Sequence, residues 1–240
     1  MTSVTFLGTG NYLAPGRYWN SFVIDRKILV EPSPSCLANL RKSGISAETI
    51  ETVVISHFHA DHTFGWPFLL LELASHGSGR TLSVVGPPGV ENFLETMMQV
   101  GAVSEVHERA HERLDIRYTE VDCTWQKAGD LRFRAVEVVH VSYLQCFGYL
   151  FDCGERILGY SGDTQPCPGL DEIAAESHAL VLECNSRHQK PTHMGIDAVR
   201  ELRGRYPDVR LILTHVGDDV DESGIPLLRV ADDFETFSDL

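Results

Sequence analysis

The chain has 240 residues, of which 43% are hydrophobic and 22% are charged, and this balance is typical of a folded globular protein. The formal net charge of −14 argues against a protein that holds long nucleic acid on its surface, because that binding depends mainly on Lys and Arg contacts to phosphates. No apolar run approaches the roughly 20 residues needed to cross a bilayer, and the N-terminus lacks the basic start of a signal peptide, so we expect a cytoplasmic protein with no membrane partner.

The first half of the sequence alternates short strands with helices. Apolar runs bounded by turn residues predict strands at 3–7, 20–24, 27–31, 52–56 and 82–85, with Asp25-Arg26 as a hairpin turn. Longer apolar or amphipathic stretches predict helices at 36–42, 63–76 and 90–100. Pro67 must lie in the first turn of the second helix, because proline has no N–H to donate.

The second half continues the same alternation. Strands are predicted at 115–121, 131–139, 147–151, 156–160, 179–183 and 209–214, and helices at 170–176 and 195–206. No stretch is rich enough in Gly, Pro or Ser to mark a linker, and no short-period repeat is present. We therefore expect one α/β domain over residues 1–240, made of two similar halves at about 1–110 and 111–240, with 209–214 as the last regular element.

A cluster of polar side chains follows the strand predicted at 52–56. His57, His59, Asp61 and His62 lie within six residues, at the carboxyl end of a strand, where open α/β sheets place their ligand sites. In a nearly extended loop, alternate residues lean to one side. His57 and His59 are then placed to bind one ion, while Asp61 and His62 turn toward a second. Imidazole and carboxylate suit zinc and its first-row neighbours.

Three later strands end in the same way. His140 follows the strand at 131–139, Asp163 comes shortly after the strand at 156–160, and His215 follows the strand at 209–214. If these strand ends converge at one rim, their side chains complete the cluster at the first motif. An apolar strand that ends in a potential metal ligand occurs three times, and this repetition is stronger evidence for a shared site than any single occurrence.

The six cysteines are scattered, with no Cys-x-x-Cys pair. This pattern is typical of reduced structural thiols rather than of a disulfide framework or a zinc-binding cysteine cluster. A cysteine nucleophile is the alternative, and Cys184 is the candidate to check, although no adjacent His or helix start is evident to lower a thiol pKa.

These residues together resemble the metallo-β-lactamase superfamily. His57 to His62 match its His-x-His-x-Asp-His signature, and the later order of His140, Ser161-Gly162-Asp163-Thr164 and His215 matches its remaining ligands. The resemblance implies a four-layer αβ/βα sandwich, in which two mixed β-sheets lie face to face with helices outside. It also implies one metal held by His57, His59 and His140, a second held by Asp61, His62 and His215, and Asp163 between them.

Within the superfamily, the chain is most similar to the branch of ribonuclease Z and related small phosphodiesterases. The shared features are Phe6-Leu7-Gly8-Thr9-Gly10, the Ser-Gly-Asp-Thr segment, and His193 ahead of a helix. Ribonuclease Z typically carries a long Gly- and Pro-rich arm that holds transfer RNA, and nothing of that kind occurs here. Its last ligand is usually followed by a Ser and an Arg-Tyr pair, whereas His215 is followed by Val216-Gly217-Asp218-Asp219. These departures favour a small or short phosphate diester over transfer RNA.

The resemblance implies a hydrolase with two divalent cations, most often Zn²⁺, with Mn²⁺ and Fe as alternatives. A hydroxide between the ions would attack phosphorus. Asp61 is expected to act as a ligand and to orient that hydroxide, His193 to protonate the leaving group, and Glu183 to fix a histidine tautomer. Tyr12, Tyr18 and Trp19 are candidates for contact with the substrate.

Two alternatives stay open. A lactonase or thioesterase uses the same ligands, so ligand spacing cannot separate phosphoester from carboxylic chemistry. A non-catalytic, metal-stabilised binding or biosynthetic accessory protein is the alternative of another class, although degenerate relatives commonly lose one or more ligands and this chain has the full set. The expected partners are a small phosphate ester or short nucleotide and, because relatives are often homodimers, a second copy of the chain.

Overall fold

Two seven-stranded β-sheets packed face to face form the centre of the protein in the computed structural model, which describes residues 2–76, 79–101, 103–217, 220, 225–226 and 228–240. Buried side chains from both sheets, among them Phe22, Phe133 and Tyr149, form the core between them. Helices cover the two outer faces. The expected αβ/βα sandwich is confirmed.

The first sheet is mixed. From one edge to the other its strands are β14 (Thr236–Ser238), β1 (Ser3–Gly8), β2 (Ser21–Ile24), β3 (Ile28–Val30), β4 (Thr52–Val54), β5 (Arg80–Gly86) and β6 (Leu114–Glu120). The pairs from β14 to β3 are antiparallel and those from β3 to β6 are parallel. Asp25 and Arg26 have φ angles of 49° and 60°, as the tight turn between β2 and β3 requires.

The second sheet follows the same plan. Its strands, in spatial order, are β13 (Leu228–Val230), β12 (Arg210–Thr214), β11 (Ala179–Glu183), β10 (Ile157–Tyr160), β9 (Cys146–Asp152), β8 (Leu131–Val138) and β7 (Trp125–Ala128). The pairs from β7 to β10 are antiparallel and those from β10 to β13 are parallel. Each sheet therefore has three antiparallel pairs followed by three parallel pairs.

Seven α-helices are present among the described residues. They are α1 (Cys36–Lys42), α2 (Ala60–Thr63), α3 (Trp66–His76), α4 (Val90–Val100), α5 (Ser104–Arg113), α6 (Pro168–Glu176) and α7 (Ile196–Arg205), with a 3₁₀ turn at Ala47–Thr49. Helices α1, α3, α4 and α5 pack on the outer face of the first sheet, and α6 and α7 pack on the second. Both faces of the central strands are buried, which explains their nearly continuous apolar sequences.

The helix predicted over 63–76 is present but begins at Trp66, because the helical structure breaks between α2 and α3. Gly65 lies at this break, and its N–H donates to the carbonyl of Pro32 at 2.9 Å. A Cβ on Gly65 would lie 2.0 Å from the carbonyl oxygen of Ser33. The close approach of two backbone segments therefore ends α2 after one turn, and Pro67 lies in the first turn of α3 as expected.

Five of these helices and strands were missed by sequence reasoning: α2, α5, β7, β13 and β14. Helix α2 carries Asp61 and His62, which were expected in a nearly extended loop. Helix α5 has the sequence SEVHERAHER, in which Val106 and Ala110 are the only apolar residues, so its apolar stripe is too short to predict a helix. Strands β13 and β14 have three residues each, too few to display an alternating pattern. The prediction that 209–214 closes the regular structure is therefore wrong.

The change from the first sheet to the second falls between β6 and β7, and the chain returns to the first sheet at β14. This return supports the single domain over residues 1–240, which stays a prediction, as do its two similar halves. Asp218 and Asp219 lie outside the described residues. Within the described ranges, none of the helices combines the length and the apolar character that crossing a membrane would take.

We predict that Gly65→Ala lowers the free energy of unfolding by about 1–3 kcal/mol, because the added methyl group forces the segment at Ser33 to move. Gly204→Ala, in α7, is the matched control, since a Cβ there meets nothing within 4 Å, and it should leave stability equal or raise it by up to about 1 kcal/mol. Urea unfolding measures both variants. Equal stability of the two would contradict the proposed close contact.

Candidate metal centre

Four strand ends from the two sheets deliver the candidate ligands to one place. His57 follows β4 of the first sheet, while His140, Asp163 and His215 follow β8, β10 and β12 of the second. His59 lies at the start of α2, which carries Asp61 and His62. The structure brings all seven predicted ligands together.

The first group consists of His57, His59 and His140. The Nε2 of His57 lies 2.9 Å from the Nδ1 of His59, and the Nε2 of His140 lies 3.3 Å from that same Nδ1. His57 and His140 are buried, and His59 is partly exposed. Three imidazole nitrogens thus converge on one point from two sheets.

The second group consists of Asp61, His62 and His215. The Oδ2 of Asp61 lies 3.5 Å from the Nε2 of His62 and 3.6 Å from the Nε2 of His215. His62 and His215 are each 1% exposed. This second set of donors has the mixed imidazole and carboxylate chemistry that first-row metals accept.

Asp163 lies between the two groups. Its Oδ2 is 3.4 Å from the Nε2 of His62 and 3.5 Å from the Nε2 of His215. The same oxygen is 4.0 Å from the Nε2 of His57 and 4.0 Å from the Nε2 of His140. One buried carboxylate oxygen therefore faces histidines of both groups.

Several buried polar atoms in this cluster have no hydrogen-bond partner among the residues that the structure describes. They are the Oδ1 of Asp163, the Nδ1 of His62, and both ring nitrogens of His215. An unpaired buried polar atom costs about 1–3 kcal/mol, and a cation bound by the Asp163 carboxylate and the Nε2 of His215 would offset part of that cost. The donor set therefore fits metal ions.

The pKa shifts of the clustered histidines also favour metal binding. Burial lowers the pKa of His57, His59 and His140, so these rings are neutral near pH 7 and keep a lone pair for a ligand bond. Burial also opposes a charge on His62, but the carboxylates of Asp163, Asp61 and Glu31 raise its pKa well above the ordinary value. The second group therefore has an excess of negative charge that a proton or a cation must balance.

Hydrogen bonds fix the orientation of two rings in the first group. The Nδ1–H of His140 donates to the carbonyl of Thr192 at 2.8 Å, which leaves Nε2 to face the cluster. The Oγ of Ser56 lies 2.9 Å from the Nδ1 of His57. Such contacts select the tautomer and increase the basicity of a metal-binding histidine.

Glu31 supports the second group, and sequence reasoning missed it. Its Oε2 lies 3.6 Å from the Nδ1 of His62, and its Oε1 accepts hydrogen bonds from the Tyr160 hydroxyl at 3.0 Å and from the Ser56 N–H at 3.2 Å. Glu31 directly follows β3, so it has the same strand-end position that identified the other candidates. The strand-end position could therefore have identified Glu31 from the sequence.

Two of these residues have backbone strain. Glu31 has a φ of 58° and His215 has a φ of 51°, both in the left-handed region that non-glycine residues rarely adopt. Left-handed backbone costs roughly 1–2 kcal/mol per residue and concentrates at functional sites. The strain therefore supports a functional role for the two side chains, which contact or approach the same cluster.

His193 is held beside the cluster by Glu183. The Nδ1 of His193 lies 2.9 Å from the Oε1 of Glu183 and 4.0 Å from the Oδ2 of Asp163. Glu183 is buried at the end of β11, and its Oε1 also accepts the Thr164 N–H at 2.6 Å. Burial lowers the pKa of His193. Glu183 thus orients His193 rather than one of the seven candidate ligands.

A cavity of about 380 Å³ opens beside the cluster. Its lining includes His59, Asp61, His140, Asp163, His193 and His215, with Tyr12 and Tyr143 on its wall. Tyr12 and Tyr143 are 62% and 73% exposed, and the Tyr143 hydroxyl lies 3.1 Å from the Nε2 of His59. Tyr12 was among the predicted substrate contacts, and Tyr143 was missed because no pattern in the sequence marks it.

Two other sequence candidates lie elsewhere. The hydroxyl of Tyr18 bonds to the ammonium group of Lys42, on the side of α1. Cys184 is fully buried, which argues against a role as a nucleophile.

Comparison with known proteins assigns the family. The model of the β-lactamase superfamily domain matches residues 26–216. The Ribonuclease Z of Clostridium perfringens is 29% identical over 168 residues, which are 63% of this chain and 51% of that protein, so the match spans about half the length of this relative. The Ribonuclease Z of Methanothermobacter thermautotrophicus is 26% identical over 297 aligned positions, which cover 98% of this chain and 96% of that protein.

A solved structure shows the same fold. The crystal structure of a diphosphatase from the PhnP family superposes with a TM-score of 0.77 at 18% sequence identity, covering 100% of this chain and 98% of that one. The superfamily fold, together with the His and Asp clusters described above, implies divalent metal ions. Since the family match extends over most of the 240 residues, the chain belongs to the metallo-β-lactamase superfamily and has Ribonuclease Z proteins among its relatives.

Proposed function

We propose that this chain is a metal-dependent phosphodiesterase that binds two divalent cations. Zinc is the proposed metal, with manganese and iron as alternatives. His57, His59 and His140 hold the first cation. Asp61, His62 and His215 hold the second, and Asp163 lies between the two. The observation that carries the proposal is the position of the Asp163 Oδ2, within 3.4–4.0 Å of ring nitrogens from both groups.

When bound, the cations lower the pKa of water toward neutrality and polarise a phosphoryl oxygen. The side chains of this protein supply position and protons. Asp61 lines the cavity, where its carboxylate orients the attacking water. His193 gives a proton to the departing alkoxide from Nε2, while its Nδ1 is held by Glu183.

Phosphorus chemistry is favoured over carboxylic chemistry by the relatives. The curated relatives named above are ribonucleases, and the structural neighbour is a diphosphatase. Lys190 also lies next to the cavity, since its backbone pairs with that of His193 in an isolated β-bridge. Its ammonium group donates to the Asn185 Oδ1 at 3.1 Å. A cation at this position attracts an anionic substrate. A lactonase or thioesterase remains the rival within enzymes.

The substrate is proposed to be a small phosphate ester or a short nucleotide. The cavity of about 380 Å³ lies at the lower end of the range for small-molecule sites, and the net charge of −14 disfavours contact with long nucleic acid. The alignment with the Methanothermobacter protein runs over 297 positions against 240 residues here, so that relative carries segments which this chain lacks. The exposed rings of Tyr12 and Tyr143 are suited to stack on a planar group.

A non-catalytic accessory protein is disfavoured by the site itself. All seven candidate ligands converge, and an additional pair, His193 and Glu183, is positioned beside them. A purely structural metal site is closed, whereas this one opens into a cavity. We also propose that the protein is cytoplasmic and forms a homodimer. Both proposals rest on the sequence analysis alone.

We predict that Glu31→Gln weakens binding of the second cation by about 10–100-fold, because the carboxylate that faces the Nδ1 of His62 becomes a neutral amide. Glu51→Gln, which alters an exposed pair with Lys27, is the matched control and should bind metal as the wild type does. Competition with a chelator of known affinity measures both. Equal affinities in the two variants would show that Glu31 does not support the metal site.

The substrate class is tested with four compounds in parallel. We expect turnover of bis(p-nitrophenyl) phosphate and of a 2′,3′-cyclic nucleotide, with little turnover of an acyl-homoserine lactone or an acyl-glutathione. Asp163→Asn should lose more than about 100-fold of the phosphodiesterase rate, while Asp115→Asn, on an exposed strand position, should keep it. Turnover of only the lactone and thioester would overturn the proposed substrate class and leave the hydrolase intact.

The role of His193 is tested through the leaving group. His193→Ala should lose about 10²–10⁴-fold of the rate on a diester with a poor alkoxide leaving group, but less than about 10-fold on nitrophenolate, which needs no proton. His188→Ala, an exposed histidine of the same loop, should change neither rate. Equal losses on both substrates would refute the general-acid role.

A further inference from the structure

A second group of metal-type ligands lies on two helices outside the cavity. His107 and His111 are four residues apart on α5, so their side chains share one face of the helix. Glu95 faces them from α4. One donor atom from each of the three residues lies within 4.8 Å of the other two. None of these three residues was singled out for metal binding by the sequence pattern or by the resemblance.

The distances match the geometry of a tetrahedral zinc site. The Nε2 atoms of His107 and His111 are 3.1 Å apart, and the Oε1 of Glu95 lies 3.4 Å from the Nε2 of His107. Two donors bound to tetrahedral zinc at about 2.0–2.1 Å must themselves lie roughly 3.3 Å apart. A single zinc ion therefore fits between the three atoms with only small side-chain movements.

The surroundings suit a cation. Burial, followed by the neighbouring His107 ring, lowers the pKa of His111, which keeps that ring neutral near pH 7. The carboxylates of Glu95 and Glu91 both act on His111 as nearby negative charges. The side chain of His107 is 18% exposed and that of Glu95 is 38% exposed, while His111 lies at the surface. The three side chains are therefore mostly buried at His107 and open to solvent at His111.

We propose that Glu95, His107 and His111 bind a zinc ion that joins α4 to α5, separate from the cations of the main centre. Three protein ligands leave a fourth position for water. Helices α4 and α5, together with α3, line an apolar groove of about 420 Å³, and Val106, next to His107, is part of its wall. The ion thereby fixes the position of α5 and the shape of this groove.

The proposal is tested by the zinc stoichiometry of the full chain. Metal-free protein is dialysed against micromolar zinc, and bound zinc is counted by elemental analysis. The wild type should hold one equivalent more than His111→Ala or Glu95→Gln. His76→Ala is the matched control, because His76 is an exposed histidine that pairs with Glu72 on its own helix, and it should hold the wild-type number. Equal stoichiometry in the wild type and His111→Ala would overturn the site.

Hydrogen exchange provides a second readout that is independent of the main centre. Added zinc should slow amide exchange at least tenfold in the segment 104–113 of the wild type, and His111→Ala should lose this effect. Phosphodiesterase activity should stay within about twofold in that variant, since the ring of His111 lies outside the residues that line the cavity. Zinc-independent exchange in the wild-type segment would contradict a zinc ion that joins the two helices.

Discussion

The approach of one buried carboxylate to four imidazole rings of the candidate metal centre is the constraint on which the rest of the structure depends. Asp163 is 2% exposed, and its Oδ2 faces His57 and His140 on one side and His62 and His215 on the other. Although burial opposes ionisation, the rings of His215 and His62 hold the pKa of Asp163 well below its usual range. A buried charge of this kind is retained only when it is paired or binds a metal, and this requirement supports the proposal of cations on both sides.

The fold provides this arrangement only when both sheets are in place. The first motif comes from the first sheet, while Asp163, His140 and His215 come from the second. Tyr160, which packs at 78° against Phe22 between the sheets, also donates its hydroxyl to Glu31, the carboxylate that faces His62. The hydrophobic core between the sheets and the support of the candidate metal centre are therefore parts of one connected network.

Much of the fold and most of the candidate metal ligands could be predicted from the sequence. The strand-end positions of His140, Asp163 and His215 identified the ligand candidates because an apolar run followed by a polar ligand is a local pattern. Glu31 showed the same pattern but was read as the end of a hairpin strand. The break at Gly65 depends on contact with Pro32 and Ser33, and Tyr143 depends on how a loop folds over the cavity, so neither is encoded by local periodicity. Helix α5 has only two apolar residues, Val106 and Ala110, which is too weak an apolar stripe to identify a helix.

The central claim is that two cations lie on either side of Asp163, and anomalous X-ray diffraction at the absorption edge of the bound metal tests it most directly. The account predicts two peaks about 3.5–4 Å apart, one among His57, His59 and His140 and the other among Asp61, His62 and His215, with Asp163 between them. A single peak, or two peaks away from Asp163, in protein saturated with metal would contradict it.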